Sequence, residues 1–167
     1  PGPARAAGPR GGALRFDGVD DYAECADARL AGVWSKVEIE VRFALSGDGA
    51  DEPVLVSIGP GVVLGVERGM PYLRHDGLGH ADGGRDPVTR ALTPVAIEKD
   101  AWHCLRATCS GSTVVLQFDG REIGRSEGLS GAVRTEAPLR IGGTVDPHFY
   151  KGLVDHLAVH LDPGTGA

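Results

Sequence analysis

Along most of this chain hydrophobic and polar positions alternate with a period of two, and the helical period of 3.6 is nearly absent. The clearest run is 37–45. It puts Val37, Ile39, Val41, Phe43 and Leu45 on one face and Glu38, Glu40 and Arg42 on the other. Leu14 and Phe16 alternate with Arg15 and Asp17, and Ala23 and Cys25 with Tyr22 and Glu24. Further strand-like runs cover 53–58, 62–66, 70–75, 92–99, 114–118, 122–124, 139–141 and 153–161, with another from Trp102. Each run is short and stops at a turn signal. Gly59-Pro60-Gly61, Ser110-Gly111-Ser112 and Asp119-Gly120 read as tight turns, because Gly accepts positive φ and Pro fixes it negative.

The pattern predicts on the order of eleven strands, with turns every eight to twelve residues, the spacing of an all-β sandwich. One stretch breaks it. Residues 76–90 hold Gly77, Gly79, Gly83, Gly84 and Pro87 with His80 and Arg85, and are long for a connection. Long ordered loops carry function more often than short ones.

Three segments carry a family pattern: Ala13 to Tyr22 around Asp17-Gly18, Ala101 to Gly120 around Trp102-His103 and Asp119-Gly120, and Leu139 to Gly143 followed by Phe149 to His160. Together, in this order, they resemble the laminin G-like (concanavalin A-like, pentraxin-related) domains. The resemblance implies an all-β, two-sheet antiparallel jelly-roll β-sandwich over residues 13–161. It implies a non-catalytic recognition module that binds a glycan or a protein partner through rim loops, with a purely structural spacer as the alternative. It also implies a structural calcium ion between the first and last strands, at Asp17 and Asp155.

Composition narrows the class. With 167 residues and 41% hydrophobic positions the chain fits one globular domain with one core. The formal charge of −6 makes nucleic acid a poor partner. No apolar run reaches the length of a membrane-spanning helix. Residues 1–12 and 162–167 are rich in Pro, Gly and Ala and read as a flexible linker and tail, so the block reads as tethered to other domains. The family is mainly extracellular, whereas three cysteines are an odd set for a disulfide-rich design, so the compartment stays open. Cys104 and Cys109 sit about 16 Å apart on opposite faces of one strand and cannot pair with each other. Cys25 could be bridged to either, or all three could be buried thiols.

The candidate chemistry is thin. Glu38 and Glu40 share one strand face, as do the carboxylates of glycoside hydrolases on this architecture. The third position of that pattern is Arg42, however, and the reading here is a solvated face. His156 and His160 lie about 13 Å apart on one strand, too far to share zinc. No phosphate loop and no Gly-x-Ser-x-Gly elbow is present. Asp17, Asp20 and Asp21 cluster around Gly18, a donor set suited to calcium, or else to capping the amides of their own turn. For ligand contact, Tyr72, Arg74 and His75 beside the long loop form the best patch, with His80 a looser candidate.

Overall fold

The computed structural model describes residues 2–47, 52–75, 77–80, 88–143 and 149–164, and of residues 79 and 80 the backbone alone. In chain order the strands are β1 (Ala4–Gly8), β2 (Gly11–Asp17), β3 (Ala23–Cys25), β4 (Gly32–Trp34), β5 (Lys36–Leu45), β6 (Val54–Ile58), β7 (Val62–Glu67), β8 (Met70–His75) and β9 (Leu78–His80). They continue with β10 (Val88–Arg90), β11 (His103–Ser110), β12 (Thr113–Phe118), β13 (Arg121–Ser126), β14 (Leu129–Gly131), β15 (Val133–Thr135), β16 (Leu139–Ile141) and β17 (Lys151–Asp162). Among the described residues there is one 3₁₀ turn, Ala28–Leu30, capped by Asp27, whose side chain accepts the Arg29 amide.

Two antiparallel sheets stack as the alternation requires. The seven-stranded sheet runs β1-β2-β17-β5-β11-β12-β13, and the six-stranded sheet β10-β8-β7-β6-β16-β3. Two short pairs, β14-β9 and β15-β4, stand apart from these sheets. Val37, Ile39, Val41 and Phe43 of β5 face inward beside Leu105, Ala107 and Cys109 of β11, and against Val56, Ile58, Leu64 and Leu73. The outward Lys36, Glu38, Glu40 and Arg42 of β5 are half-buried, so the strand follows the period-2 rule as far as Phe43, while Ala44 is buried as well. The fold is thus the all-β two-sheet jelly roll that the sequence implies.

Strands β6 and β7 differ: every residue from Val54 to Ile58 and from Val62 to Val66 is buried, on both faces. On the outer side, Ser57 Oγ donates to the Gly143 carbonyl at 3.4 Å. That outer face is therefore least accessible at β6 and β7, and its more accessible side chains lie toward β8 and β10 at one edge and β16 and β3 at the other.

Two expectations change. The segment read as linker contains β1, paired residue by residue with β2 from Ala4↔Arg15 to Gly8↔Gly11. Its small side chains offer little to a core, but its amides complete the edge of the sheet. Residues 92–99 form no strand. They cross the edge as an irregular segment that packs Val95 and Ile97 against the core, because Pro94 and the Leu92 amide bond to Ile123 take them out of a ladder. Of the long Gly-rich stretch, Leu78–His80 and Val88–Arg90 are strands. Residues 76 and 81–87, including Arg85, lie outside the described residues, as do 48–51 of the β5–β6 turn and 165–167 of the tail.

Candidate functional site

The predicted ligand patch divides. Strand β8 has Pro71, Leu73 and His75 on its buried side, and Met70, Tyr72 and Arg74 outward. Grouping His75 with Tyr72 and Arg74 is therefore a parity error, since adjacent strand residues point to opposite faces. His75 is fully buried between the sheets. Its Nε2 lies 3.1 Å from Thr89 Oγ1, and the Thr89 hydroxyl donates to Ser126 Oγ at 2.9 Å. With the Thr89 proton spent on Ser126, its oxygen accepts from the His75 Nε2–H. This polar chain ties β8 and β10 of one sheet to β13 of the other.

Tyr72 and Arg74 stay at the surface, and the structure adds partners that the sequence does not reveal. Tyr72 lies opposite Gly65 in the β7–β8 register. A Cβ at Gly65 would stand 2.9 Å from Tyr72 Oη and 3.0 Å from a ring carbon, so glycine is what lets the ring lie down on the sheet. The Arg90 guanidinium sits 5.5 Å from the ring centroid, and Glu67 pairs with Arg90 from β7. Burial pushes the Tyr72 phenol above its ordinary value, with Arg74 opposing. Arg74 is exposed and reaches the Pro60 carbonyl at 3.5 Å, too long to hold it firmly. The same device recurs at the far edge of the face. Arg140 stacks 5.1 Å from the Tyr22 ring and bonds Glu24 at 2.8 Å. Arg90, Glu67 and Arg140 carry no local motif; only the register brings them beside tyrosines.

The predicted calcium ligands also separate. Asp17 lies opposite Lys151, four residues along β17 from Asp155, or about 13 Å at strand rise. The two cannot share one ion, because the pairing of β2 with β17 fixes their offset. Asp17 is instead grouped with Asp20 and Asp21, whose ligand oxygens all lie within 4.8 Å of one another. Part of that capacity is used locally: Asp17 Oδ1 accepts the Val19 amide at 2.8 Å and the Asp20 amide at 3.4 Å, and Asp21 Oδ2 accepts the Asp17 amide at 3.1 Å. The Val19 amide bond is the main cause that lowers the Asp17 carboxyl below its usual range. A donor set of three carboxylates suits calcium in kind.

The carboxylates of β5 are tied up. Arg106 Nε donates to Glu40 Oε2 at 3.0 Å, and its Nη2 lies 2.7 Å from the same oxygen and 3.6 Å from Glu38 Oε1. Lys36 lies 3.5 Å from Glu38, and His156 Nε2 3.7 Å from Glu40. Cations thus flank both acids.

At the opposite end of β11, His103 is a structural staple. The Glu98 amide donates to its Nε2 at 3.2 Å, so its Nδ1–H donates to Asp119 Oδ2 at 2.8 Å, while Asp119 Oδ1 accepts the Cys104 amide at 2.8 Å. Its ring stacks on Phe118 at 4.9 Å. All three cysteines are free: Cys25 exposed, Cys104 half-buried and Cys109 buried.

Residues 17–165 match the laminin G family described as the concanavalin A-like lectin/glucanases superfamily. The chain belongs to that family. No curated protein matches it in sequence. Among solved structures it resembles domains LG4-5 of the mouse laminin α1 chain (TM-score 0.67, 19% identity), covering 87% of this chain and 40% of that one. It also resembles domain 4 of AbnA, a GH43 extracellular arabinanase from Geobacillus stearothermophilus, in complex with arabinotriose (TM-score 0.70, 17% identity, covering 98% and 77%). A third likeness is to the binding domain of Paraclostridial Mosquitocidal Protein 1 (TM-score 0.69, 12% identity, covering 98% and 43%). At such identities these likenesses concern the fold, and the chain spans less than half of the laminin and toxin chains. Among the described residues no helix is long and apolar enough to cross a membrane.

Proposed function

We propose that this domain is a non-catalytic recognition module that binds a glycan or protein partner on the outer face of its six-stranded sheet, around Tyr72 and Arg74. The observation that carries this reading is the immobilised ring: Tyr72 lies against Gly65, with Arg90 over it and Glu67 holding Arg90. An aromatic ring with little freedom left to lose, ringed by guanidinium and carboxylate groups, suits stacking on a sugar ring while its hydroxyls are hydrogen-bonded. The arabinanase domain solved with arabinotriose and the toxin binding domain share the architecture, which supports a binding role. Among the described residues the large exposed hydrophobic side chains are Val19 and Tyr22 between β2 and β3, Val33 on β4 and Leu92 after β10, too few on any one element to make the apolar docking face of a purely structural spacer. The Arg106 bridge across Glu38 and Glu40 speaks against a hydrolase, since a glycosidase needs one carboxyl to hold a proton and the other to stay available.

The test is a glycan array followed by calorimetry on the positive oligosaccharides. Tyr72→Ala is expected to weaken binding about tenfold or more, the worth of one lost stacking contact. Unchanged affinity in Tyr72→Ala and Arg74→Ala would remove this face from consideration. A structural calcium ion belongs to the same proposal, held by Asp17, Asp20 and Asp21 rather than by Asp17 with Asp155.

A further inference from the structure

The two short strand pairs, β14-β9 and β15-β4, belong to neither sheet, and a cavity of about 290 Å³ lies between them and the end of β11. Backbone pairing holds its walls in place before any ligand arrives. The Gly111 amide of the β11–β12 turn donates to the Ser35 carbonyl at 3.3 Å, and the Leu129 amide of β14 to the Ser112 carbonyl at 3.0 Å. Trp34 of β4 lies opposite Val133 of β15. The Ser35 amide donates to the Asp162 carbonyl at 2.9 Å, which brings the neighbouring Pro163 to the cavity.

Trp34 gives the cavity an aromatic wall that is fixed in orientation. Its Nε1–H donates to Thr135 Oγ1 at 2.6 Å, and the Thr135 hydroxyl donates in turn to the Leu30 carbonyl. A Cβ on Gly32 would stand 2.8 Å from Trp34 Cζ2, so glycine there lets the indole lie against the backbone. With its one polar atom spent, the indole offers a ligand only ring carbon. The buried Leu78, Cys109, Leu129 and Val133 continue the apolar lining. Cys109 adds no charge, because burial pushes its thiol up to about 12. Among the described residues no charged side chain and no histidine lines the cavity. Ser35, at the solvent side, donates its hydroxyl proton to the Asp162 carbonyl at 3.1 Å, so its Oγ is left to accept.

These features select the occupant. A charged group would lose its hydration here and meet no counter-charge. An apolar cavity of about 150 Å³ already takes up benzene, so this one has room for one or two rings. A ring packed against an indole that is already held still has little to order on binding. The acceptor at Ser35 calls for a donor on the ligand. We propose that this cavity binds a neutral aromatic small molecule of one or two rings that carries a hydroxyl or N–H donor. It shares no lining residue with the Tyr72 face, and the proposal does not rest on that reading.

The test is titration of the intact chain with p-cresol and with indole, followed by amide NMR, with toluene, benzoate, methyl α-glucoside and N-acetyl-leucinamide as contrasts. p-Cresol and indole are expected to bind with a Kd of about 1 mM or tighter, shifting the amides of Trp34, Ser35, Gly111, Leu129 and Val133 and leaving that of Tyr72 in place. p-Cresol is expected to bind roughly fivefold more tightly than toluene, with that difference gone in Ser35→Ala while toluene binds as before. Trp34→Leu is expected to weaken both rings about tenfold. Ser35 is exposed, so the Ser35→Ala comparison stands even where Trp34→Leu does not fold. No binding of p-cresol at roughly 10 mM, p-cresol no tighter than toluene, or benzoate as tight as p-cresol would each overturn the proposal. So would tighter binding of methyl α-glucoside, which assigns the cavity to a sugar, or of N-acetyl-leucinamide, which assigns it to a side chain of a protein partner.

Discussion

Tyr150 offers the sharpest test of how the last strand closes the sandwich. It is fully buried, and its ring meets Phe16 at 5.8 Å and Phe43 at 6.5 Å, both edge-on. Its Oη lies 2.6 Å from the Ala44 carbonyl and 2.9 Å from the Leu153 carbonyl, two residues that face each other in the β5–β17 ladder. One O–H serves both carbonyls, so Tyr150→Phe removes one shared hydrogen bond and keeps the ring. A typical hydrogen bond contributes about 0.5–1.5 kcal/mol, and a buried acceptor left unsatisfied moves the loss toward about 2 kcal/mol. For a domain of this length that corresponds to a fall in Tm of roughly 1–8 °C. Tyr150→Leu also removes the two edge contacts and leaves a void, adding about 2–3 kcal/mol. The assay is urea unfolding of the three proteins, read by far-UV circular dichroism with a common m-value. A Phe variant as stable as the native protein, or a Leu variant no worse than Phe, would refute the claim that the hydroxyl pins β17 to β5.

Thiol titration is expected to separate the cysteines: Cys25 reacts promptly at pH 8, Cys104 slowly because burial raises its thiol, and Cys109 only after unfolding, since burial pushes its thiol up to about 12. Because the folded value of Cys109 lies above the unfolded one, its contribution is complete below the unfolded thiol value near 8.5, and unfolding midpoints should decline as pH rises from there toward 12, less so in Cys109→Ala. Asp27 has the opposite sign: the Arg29 side chain holds its carboxyl at about 2, so the cap is intact above the ordinary Asp value near 3.9 and weakens as pH falls toward 2. That loss should register as chemical-shift changes at the Arg29 amide, and shifts that instead follow a titration near 4 would count against the pair. Calcium should raise Tm reversibly with a chelator, and Asp20→Asn with Asp21→Asn should abolish the increment; an unchanged Tm removes the ion from the account.

The alternation along β5 reads correctly from sequence because each residue there answers to a single rule, burial on one face. The same rule places Tyr72 and Arg74 outward and His75 inward, so nearness in sequence does not make the three residues one patch. β1 was not legible for a different reason. Residues 4–8 have no hydrophobic pattern at all, and they become a strand because β2 has an edge to fill, a property of the assembled sheet. The Arg90–Tyr72 and Arg140–Tyr22 stacks were hidden likewise, since each joins residues of different strands through a register that spacing alone does not supply.

That register also bears on which face is suited to a ligand. On the seven-stranded sheet, Glu38 and Glu40 stand among Lys36, Arg106 and His156, so the donors and acceptors there answer one another. A ligand landing on it would have to displace half-buried ion pairs and then replace each bond it breaks. On the six-stranded sheet the two Arg–Glu pairs stand beside tyrosine rings, and Arg74 pairs with no carboxylate among the described residues. A hydroxyl or carbonyl of a ligand can engage Arg74 without breaking an ion pair, and Tyr72 is held in place before the ligand arrives. Affinity depends on how little must be undone or ordered on binding, and that is why the proposed recognition surface is the Tyr72 face rather than the sheet whose carboxylates are already paired.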